Sequence, residues 1–387
     1  MSIKSAVIVG AGMAGLTAAL SLARHGISSR IVEQAQQLGE VGAGLQISPN
    51  ASRILRQLGV LEDLEQHWLE PAEIQLVSGV SLKPLASIPS GAFARQRWGA
   101  PYGVVHRATL QQSLLTAVLR NPLCRLELGH RIETSTADDL LAAMPDRPDL
   151  LVGADGAWSG LRARIPGSPS VAFSGNIAWR FTIPGSTAPA FLDRHSVTAF
   201  LGPQTHLVSY PLKEIDGFNI VAIAAGISPG ETFLAEGSAA QRAGLMAQFA
   251  GWNRAIRDLL DLAERPNLWP LYQASAGRWQ NGRDTALIGD AAHAMMPFSA
   301  QGAAMAIEDA FELAGLVATQ PLPQALAAYE TIRQARAARV RSRGAFNKFA
   351  YHARGPIRIG RDLVLSLRAP QSLAQDLDWL YGYQAKG

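Results

Sequence analysis

The chain has 387 residues, 48% of them hydrophobic and 17% charged, which is more than one core usually supports and an ordinary globular composition. A net charge of +4, from 35 basic and 31 acidic residues, argues against a nucleic-acid-binding tract, although a mild positive field favours anionic ligands. One cysteine, Cys124, excludes an intramolecular disulfide and a cysteine-cluster metal site, and the eight histidines lack metal-ligand spacing, so no metal is expected.

The β-branched run Ala6-Val7-Ile8-Val9 passes directly into Gly10-Ala11-Gly12-Met13-Ala14-Gly15, and an Ala- and Leu-rich helical pattern follows to about His25. Gly10 suits the sharp turn out of the strand, Gly12 a close approach of backbone to a pyrophosphate, and Gly15 tight helix packing. The helix start, with Met13 and Ala14, would face the phosphates with free N–H groups. A second strand, Ser29 to Val32, ends in Glu33, placed to accept hydrogen bonds from an adenosine ribose, with Gln34 next to it. Residues 6 to 23 carry no charge and could be scored as a signal peptide or a membrane span. Three glycines at fingerprint spacing between strand and helix, with the acid in place, favour a dinucleotide site. No membrane span and a cytoplasmic location are therefore expected.

Gly39 to Asn50 holds three further glycines and a proline and reads as a loop beside the cofactor, with Gln46 in it; the plain alternative is a simple connection. Residues 73–99 read as antiparallel strands inserted into the parallel unit. Arg107 opens a helix from Ala108 to Leu119, where it could clamp a phosphate or ribose or simply sit on the surface. Two apolar strands then end in acids, at Asp155-Gly156 and at Asp290, and carboxylates at such ends point into the crevice where open α/β sheets bind ligands. The pattern Arg333, Arg336, Arg339, Arg341, Arg343 falls mostly on one helical face and reads as a solvated face.

Gly10 to Gly15 with Glu33, the Asp155-Gly156 pair and the Gly289-Asp290 segment together resemble the single-component (class A) FAD-dependent aromatic monooxygenases, the salicylate and hydroxybenzoate hydroxylase type. The resemblance runs over most of the chain, including Trp379 to Tyr383. It implies a Rossmann-like FAD-binding domain (1–72, 100–175 and 280–325), an inserted β-sheet substrate domain (73–99 and 176–279) and a C-terminal helical region (326–387). Glu33 would then bind the FAD ribose, Arg107 the pyrophosphate and ribitol side, and Asp290 the ribityl chain. Gly302 and Ala303 would offer N–H groups near the isoalloxazine, and Asp155-Gly156 would serve FAD and NAD(P)H. Gln34 stands where many relatives have arginine.

With no second glycine fingerprint, the resemblance implies that NADH or NADPH docks transiently. The reduced flavin and O2 would give a C4a-hydroperoxide that hydroxylates a small phenolic or carboxylated aromatic substrate. The substrate pocket would lie where the inserted sheet meets the flavin, which singles out Trp179, Arg180, His206, Tyr210 and Pro297. His206 and Tyr210, four apart in a strand and so on one face, are the candidates for taking a phenol proton, and Arg180 for pairing a carboxylate. Each has a plain alternative as a core or strand residue. Rival readings are an epoxidase or tailoring hydroxylase on a larger apolar ring system and a non-catalytic flavin-binding protein. Monomer and homodimer remain alternatives.

Overall fold

Five apolar segments pair side by side into a parallel sheet in the order Thr285–Leu287, Leu150–Gly153, Ser5–Val9, Ser28–Val32, Cys124–Glu127. Ser5–Val9 lies in the middle and is buried from Ala6 onward, as an all-apolar strand covered on both faces must be. The computed structural model describes residues 3–39, 44–132, 147–228, 230, 235–263 and 267–387.

The helix Met13–Ala23 follows the first strand and packs on the helix Gly302–Thr319. All of its residues except Ala14 are buried, which explains why residues 6–23 carry no charge. Its side-chain hydroxyls, at Thr17 and Ser21, are satisfied by the carbonyls of Met13 and Thr17. Among the described residues no helix is long and apolar enough to cross a membrane.

A second sheet of eight strands runs in the order Ala235–Glu236, Asn267–Ala274, Val171–Pro184, Gly217–Ala225, His206–Leu212, Ser196–Leu201, Glu73–Ser78, Pro84–Pro89. Glu73–Ser78 pairs antiparallel with Pro84–Pro89, and it runs parallel to Ser196–Leu201, joining the early segment to the later strands. The stretch 73–99 also contains a helix, Ala92–Trp98. One face of the large sheet packs a core of Trp179, Phe200, Phe218, Phe249 and Trp252 under the helices Ala239–Gln248 and Arg254–Asp261. The opposite face looks towards the parallel sheet.

The expected loop from Gly39 to Asn50 is a strand for part of its length. Gly44–Ile47 pairs antiparallel with Gly103–His106. Glu40 to Ala43 lie outside the described residues.

The C-terminal part begins with the long helix Leu322–Tyr351, followed by Gly355–Leu367, Pro370–Gln375 and Asp378–Tyr381. Here the expected solvated arginine face is corrected. Arg333 has no exposed surface, and Arg336 is 7% exposed. Arg333 pairs with Glu308 at 2.7 Å, Asp309 at 2.7 Å and Glu312 at 3.5 Å, and Arg336 with Glu308 at 2.8 Å. The acids lie on Gly302–Thr319, so the two helices are riveted by charge where periodicity alone suggested water.

Candidate active site

The three fingerprint glycines do three separate jobs. Gly10 holds φ +105°, and a methyl group added there would come within 2.4 Å of the Ala154 carbonyl oxygen. At Gly15 an added methyl would lie 1.9 Å from the Gly10 carbonyl, so the helix can approach its own strand only without a side chain. Gly12 has φ −73° and extended ψ, which any residue adopts, and an added methyl would meet nothing within 4 Å. Its smallness is not needed by the protein's own packing; it keeps open the space that a ligand fills.

That space is a cavity of about 280 Å³ between the two sheets. Two helix starts face it, Gly12-Met13-Ala14 and Gly302-Ala303, and neither has a side chain capping its first N–H groups. Gly302, like Gly12, has only open space where a Cβ would stand. Two sets of exposed N–H donors and two partial positive helix ends at one cavity suit an anionic, pyrophosphate-bearing group. These features fit FAD. Arg107 and Asp290 also line the cavity. Burial lowers the pKa of the Arg107 guanidinium, and the Asp290 carboxylate counters this.

Glu33 braces the glycine turn. Its carboxylate accepts from the Ala11 N–H at 2.8 Å and from the Ala35 N–H at 2.9 Å. Gln34, the next residue, is exposed and does not line the cavity. Gln46 reaches the cavity from its strand, with its amide oxygen held by the Tyr102 hydroxyl at 2.6 Å.

Gly156 is on the cavity wall, but the Asp155 side chain is not. Its carboxylate turns to the helical turn Gly160–Arg164 and accepts the Leu161 N–H at 3.3 Å, and burial raises its pKa. The carboxylate shapes the strand end that presents Ala154 and Gly156 to the cavity.

From the large sheet, His206, Val208 and Tyr210 project into the cavity together, as residues two apart on a strand must. Arg180 joins them from the strand Val171–Pro184, its guanidinium 5.0 Å from the centre of the Trp269 ring. Trp179 does not. It is 3% exposed and packs with Ile177, Phe200 and Leu268 on the other face of the sheet, so a substrate-contact role is corrected to a core role. Neighbours in a strand point to opposite faces, and Trp179 and Arg180 cannot share one. Pro297 lies on the wall, at the start of the helical turn Pro297–Ser299.

Burial dominates the electrostatics. It pushes the Tyr210 hydroxyl well above the ordinary phenol range, with nearby Arg180 only partly offsetting it. It pushes the His206 imidazole well below its ordinary value, and His352 adds to this. His206 Nδ1 lies 2.9 Å from His352 Nε2. His352 is itself lowered to about 4, by burial and then by Lys348. At neutral pH the site thus holds two neutral imidazoles in contact and a protonated phenol.

Sequence reasoning did not find His352, Tyr351, Val221, Ile223 or Gln301. His352 and Tyr351 come from the end of the long C-terminal helix, and nothing local at residue 351 signals a strand 145 residues earlier. Gln301 had a signal, its place just before Gly302. It is buried, and its amide nitrogen donates to Ser48 at 3.0 Å while its oxygen accepts from Asn50 at 3.1 Å, tying the two cavity-lining segments together.

The glycine argument gives a direct expectation. Gly12→Val should fold with near-normal stability and fail to retain FAD, whereas Gly15→Ala should lose about 1–3 kcal/mol of stability from overpacking. Thermal unfolding and the flavin-to-protein absorbance ratio check both; a Gly12→Val protein that keeps its flavin would show that this space is not the phosphate path.

Known proteins show the family. The FAD binding domain family matches residues 4–206 and 255–343. The 3-hydroxybenzoate 6-hydroxylase 1 of Aquipseudomonas alcaligenes is 35% identical over 97% of this chain and 97% of its own. A 3-amino-4-hydroxybenzoate 2-monooxygenase of Streptomyces platensis is also 35% identical, over 98% of this chain and 96% of its own. A salicylate hydroxylase solved with substrate shares the fold, with a TM-score of 0.78 at 22% identity over 99% of this chain and 96% of that one. With a family match across most of its length, and relatives of this similarity end to end, the chain belongs to the FAD binding domain family and is an FAD-dependent monooxygenase.

Proposed function

We propose that the protein hydroxylates the ring of a small phenolic, carboxylated aromatic molecule, consuming NADH or NADPH and O2. The observation that carries this reading is the meeting of the His206-Val208-Tyr210 face with the two open helix starts in one cavity. The relatives named for hydroxybenzoates and aminohydroxybenzoates support the substrate class.

When bound, FAD would supply the redox chemistry by which two electrons from NAD(P)H and one O2 put one oxygen atom on the ring and release the other as water. The N–H groups at Met13, Ala14, Gly302 and Ala303 hold its anionic and electron-rich parts; Glu33 takes the ribose, Arg107 the pyrophosphate side and Asp290 the ribityl hydroxyls. Gln46 and Pro297 flank the ring system. The apolar walls at Val208, Val221 and Ile223 exclude water from the reacting centre.

His206 is the group that takes the phenol proton. A phenolate pushes electron density into the ring and favours attack by an electrophilic oxygen. Neutral at physiological pH, His206 can accept that proton, with His352 at 2.9 Å to share the hydrogen bond. Tyr210, held protonated by burial, donates to the substrate oxygen and orients it.

Purified holoenzyme should show a bound-flavin spectrum. Across a panel of hydroxybenzoates, phenols and larger apolar ring compounds, at least one hydroxybenzoate should stimulate NAD(P)H oxidation with matching O2 uptake and little peroxide. Coupled turnover confined to large apolar rings would overturn the substrate class. Flavin binding with no stimulated oxidation by any compound would overturn catalysis.

A further inference from the structure

Behind His206 lies a second chamber of about 110 Å³, sharing Gln46, His206, Val208, Pro297 and Ala300 with the first. Its size is of the order of the ~150 Å³ apolar cavity that takes one benzene. Leu76 and Ala199 of the large sheet form one wall and Tyr102 another; Arg343, Tyr351 and Tyr381 close it from the C-terminal helices.

Those last three groups are the chemical oddity. Arg333 and Arg336, earlier on the same helix, are each matched by carboxylates. Arg343 has no ion pair or hydrogen bond among the described residues, and its Nε is buried without a partner. The Tyr351 and Tyr381 hydroxyls have no hydrogen-bond partner there either. Burial pushes both phenols up, and the charge of Arg343, which lines the same chamber, draws them partly back. The Arg343 guanidinium lies 5.7 Å from the centre of the Phe346 ring, so a cation held only by a ring and two hydroxyls without hydrogen-bond partners line one chamber and form a donor set lacking its acceptor. Tyr102 is not part of it, because its hydroxyl is taken by Gln46.

We propose that this chamber binds the carboxylate end of the aromatic substrate, with Arg343 pairing the carboxylate and the Tyr351 and Tyr381 hydroxyls donating to it. The ring then lies with its carboxylate towards the C-terminal helices and its hydroxyl towards His206. This assignment rests on the phenol-hydroxylase reading and moves the carboxylate partner from Arg180, which lines the first cavity beside Tyr210, to Arg343, which lines the second beside two hydroxyls.

The test titrates holoenzyme with the hydroxybenzoate that the panel identifies and with the corresponding phenol lacking the carboxylate. Binding is followed by the change in flavin absorbance, for wild type, Arg343→Met, Arg343→Lys, Tyr351→Phe and Arg180→Met. Loss of a charge-assisted pair predicts that Arg343→Met weakens hydroxybenzoate binding about 10- to 100-fold and phenol binding less than about twofold. Arg343→Lys should recover part of the difference, and Tyr351→Phe should lose a few-fold on the carboxylate alone. Equal weakening of both ligands, no weakening of either, or a carboxylate-selective loss in Arg180→Met instead would overturn the assignment. Should Arg343→Met fold poorly, the Lys and Phe variants carry the same comparison. Wild-type holoenzyme that binds no hydroxybenzoate would overturn the functional reading itself, whereas normal wild-type binding with an indifferent Arg343→Met overturns only the chamber.

Discussion

His206→Ala is expected to lower the rate of ring hydroxylation by about 10²–10⁴-fold at neutral pH, the usual contribution of a positioned acid–base group. NAD(P)H oxidation should continue, with its electrons emerging as hydrogen peroxide. The reason lies in the site's protonation state. Burial and His352 hold His206 well below its ordinary value, so it is a neutral acceptor across the physiological range. The groups packed on it are His352 and Tyr351 from the C-terminal helix and Phe298 from the turn after Met296, none of them an acid that would raise it again.

The sign of the pH dependence follows. Because the imidazole pKa is depressed, the wild-type rate should stay level as pH falls through 6.5, declining only in more acid solution. The Ala variant should climb with pH instead, since the substrate's phenol must ionise unaided. Product formation and peroxide, each measured from pH 5 to 9, distinguish the two curves. An Ala variant with the wild-type rate and profile would remove His206 from the chemistry.

Arg333→Met is expected to produce the largest loss of stability, about 3–5 kcal/mol, as removal of one partner from a buried ion cluster does. The cluster is dense: Glu308 and Asp309 are fully buried and Glu312 nearly so, and Arg333 touches all three. Arg336 would still answer Glu308, and His293 Nε2 would still lie 2.5 Å from Asp309, but Glu312 would lose the one ion pair it has among the described residues. The damage should also reach the cofactor. Asp309 accepts the Gly289 N–H at 2.8 Å, and Gly289 carries Asp290 to the cavity wall. Urea unfolding of holoenzyme and FAD release rates measure the two effects; unchanged values for both would mean that the cluster adds nothing to the loop.

The cluster also predicts an acid limb. Asp309 is lowered to about 2 and Glu308 is lowered as well, so their contribution is complete above about pH 5 and is lost as pH falls towards 2. Glu312, raised by burial, works in the opposite sense. Wild type should therefore lose stability steeply in that window, and Arg333→Met less steeply.

The sequence displayed the strand, glycine turn and helix at one end of the cavity well, because that end is local. A strand, a glycine turn and a helix lie within twenty residues, and each glycine answers a constraint set by its near neighbours. It displayed the substrate end poorly. The two-residue period of a strand could have separated Trp179 from Arg180, since adjacent residues face opposite ways. No local rule could have turned Arg333 and Arg336 inward, because the acids that receive them sit on another helix and helical spacing alone fits water as well as carboxylate. Nor could any have joined His352 to His206, or Tyr381 to Leu76: those meetings depend on how the last sixty residues fold back over both sheets.

That folding back separates two kinds of inheritance. The cavity that fits the flavin is lined by Gly12, Met13 and Ala14 and by Asp290, Gly302 and Ala303, while the wall proposed to face the carboxylate is drawn from Arg343, Tyr351 and Tyr381. On that proposal, changes at Arg343, Tyr351 or Tyr381 would alter which molecule is admitted, whereas a change at Arg333 on the same helix as Arg343 would also reach the cofactor loop. A lineage could then explore new substrates at those three positions while leaving Arg333 and the acids it holds untouched.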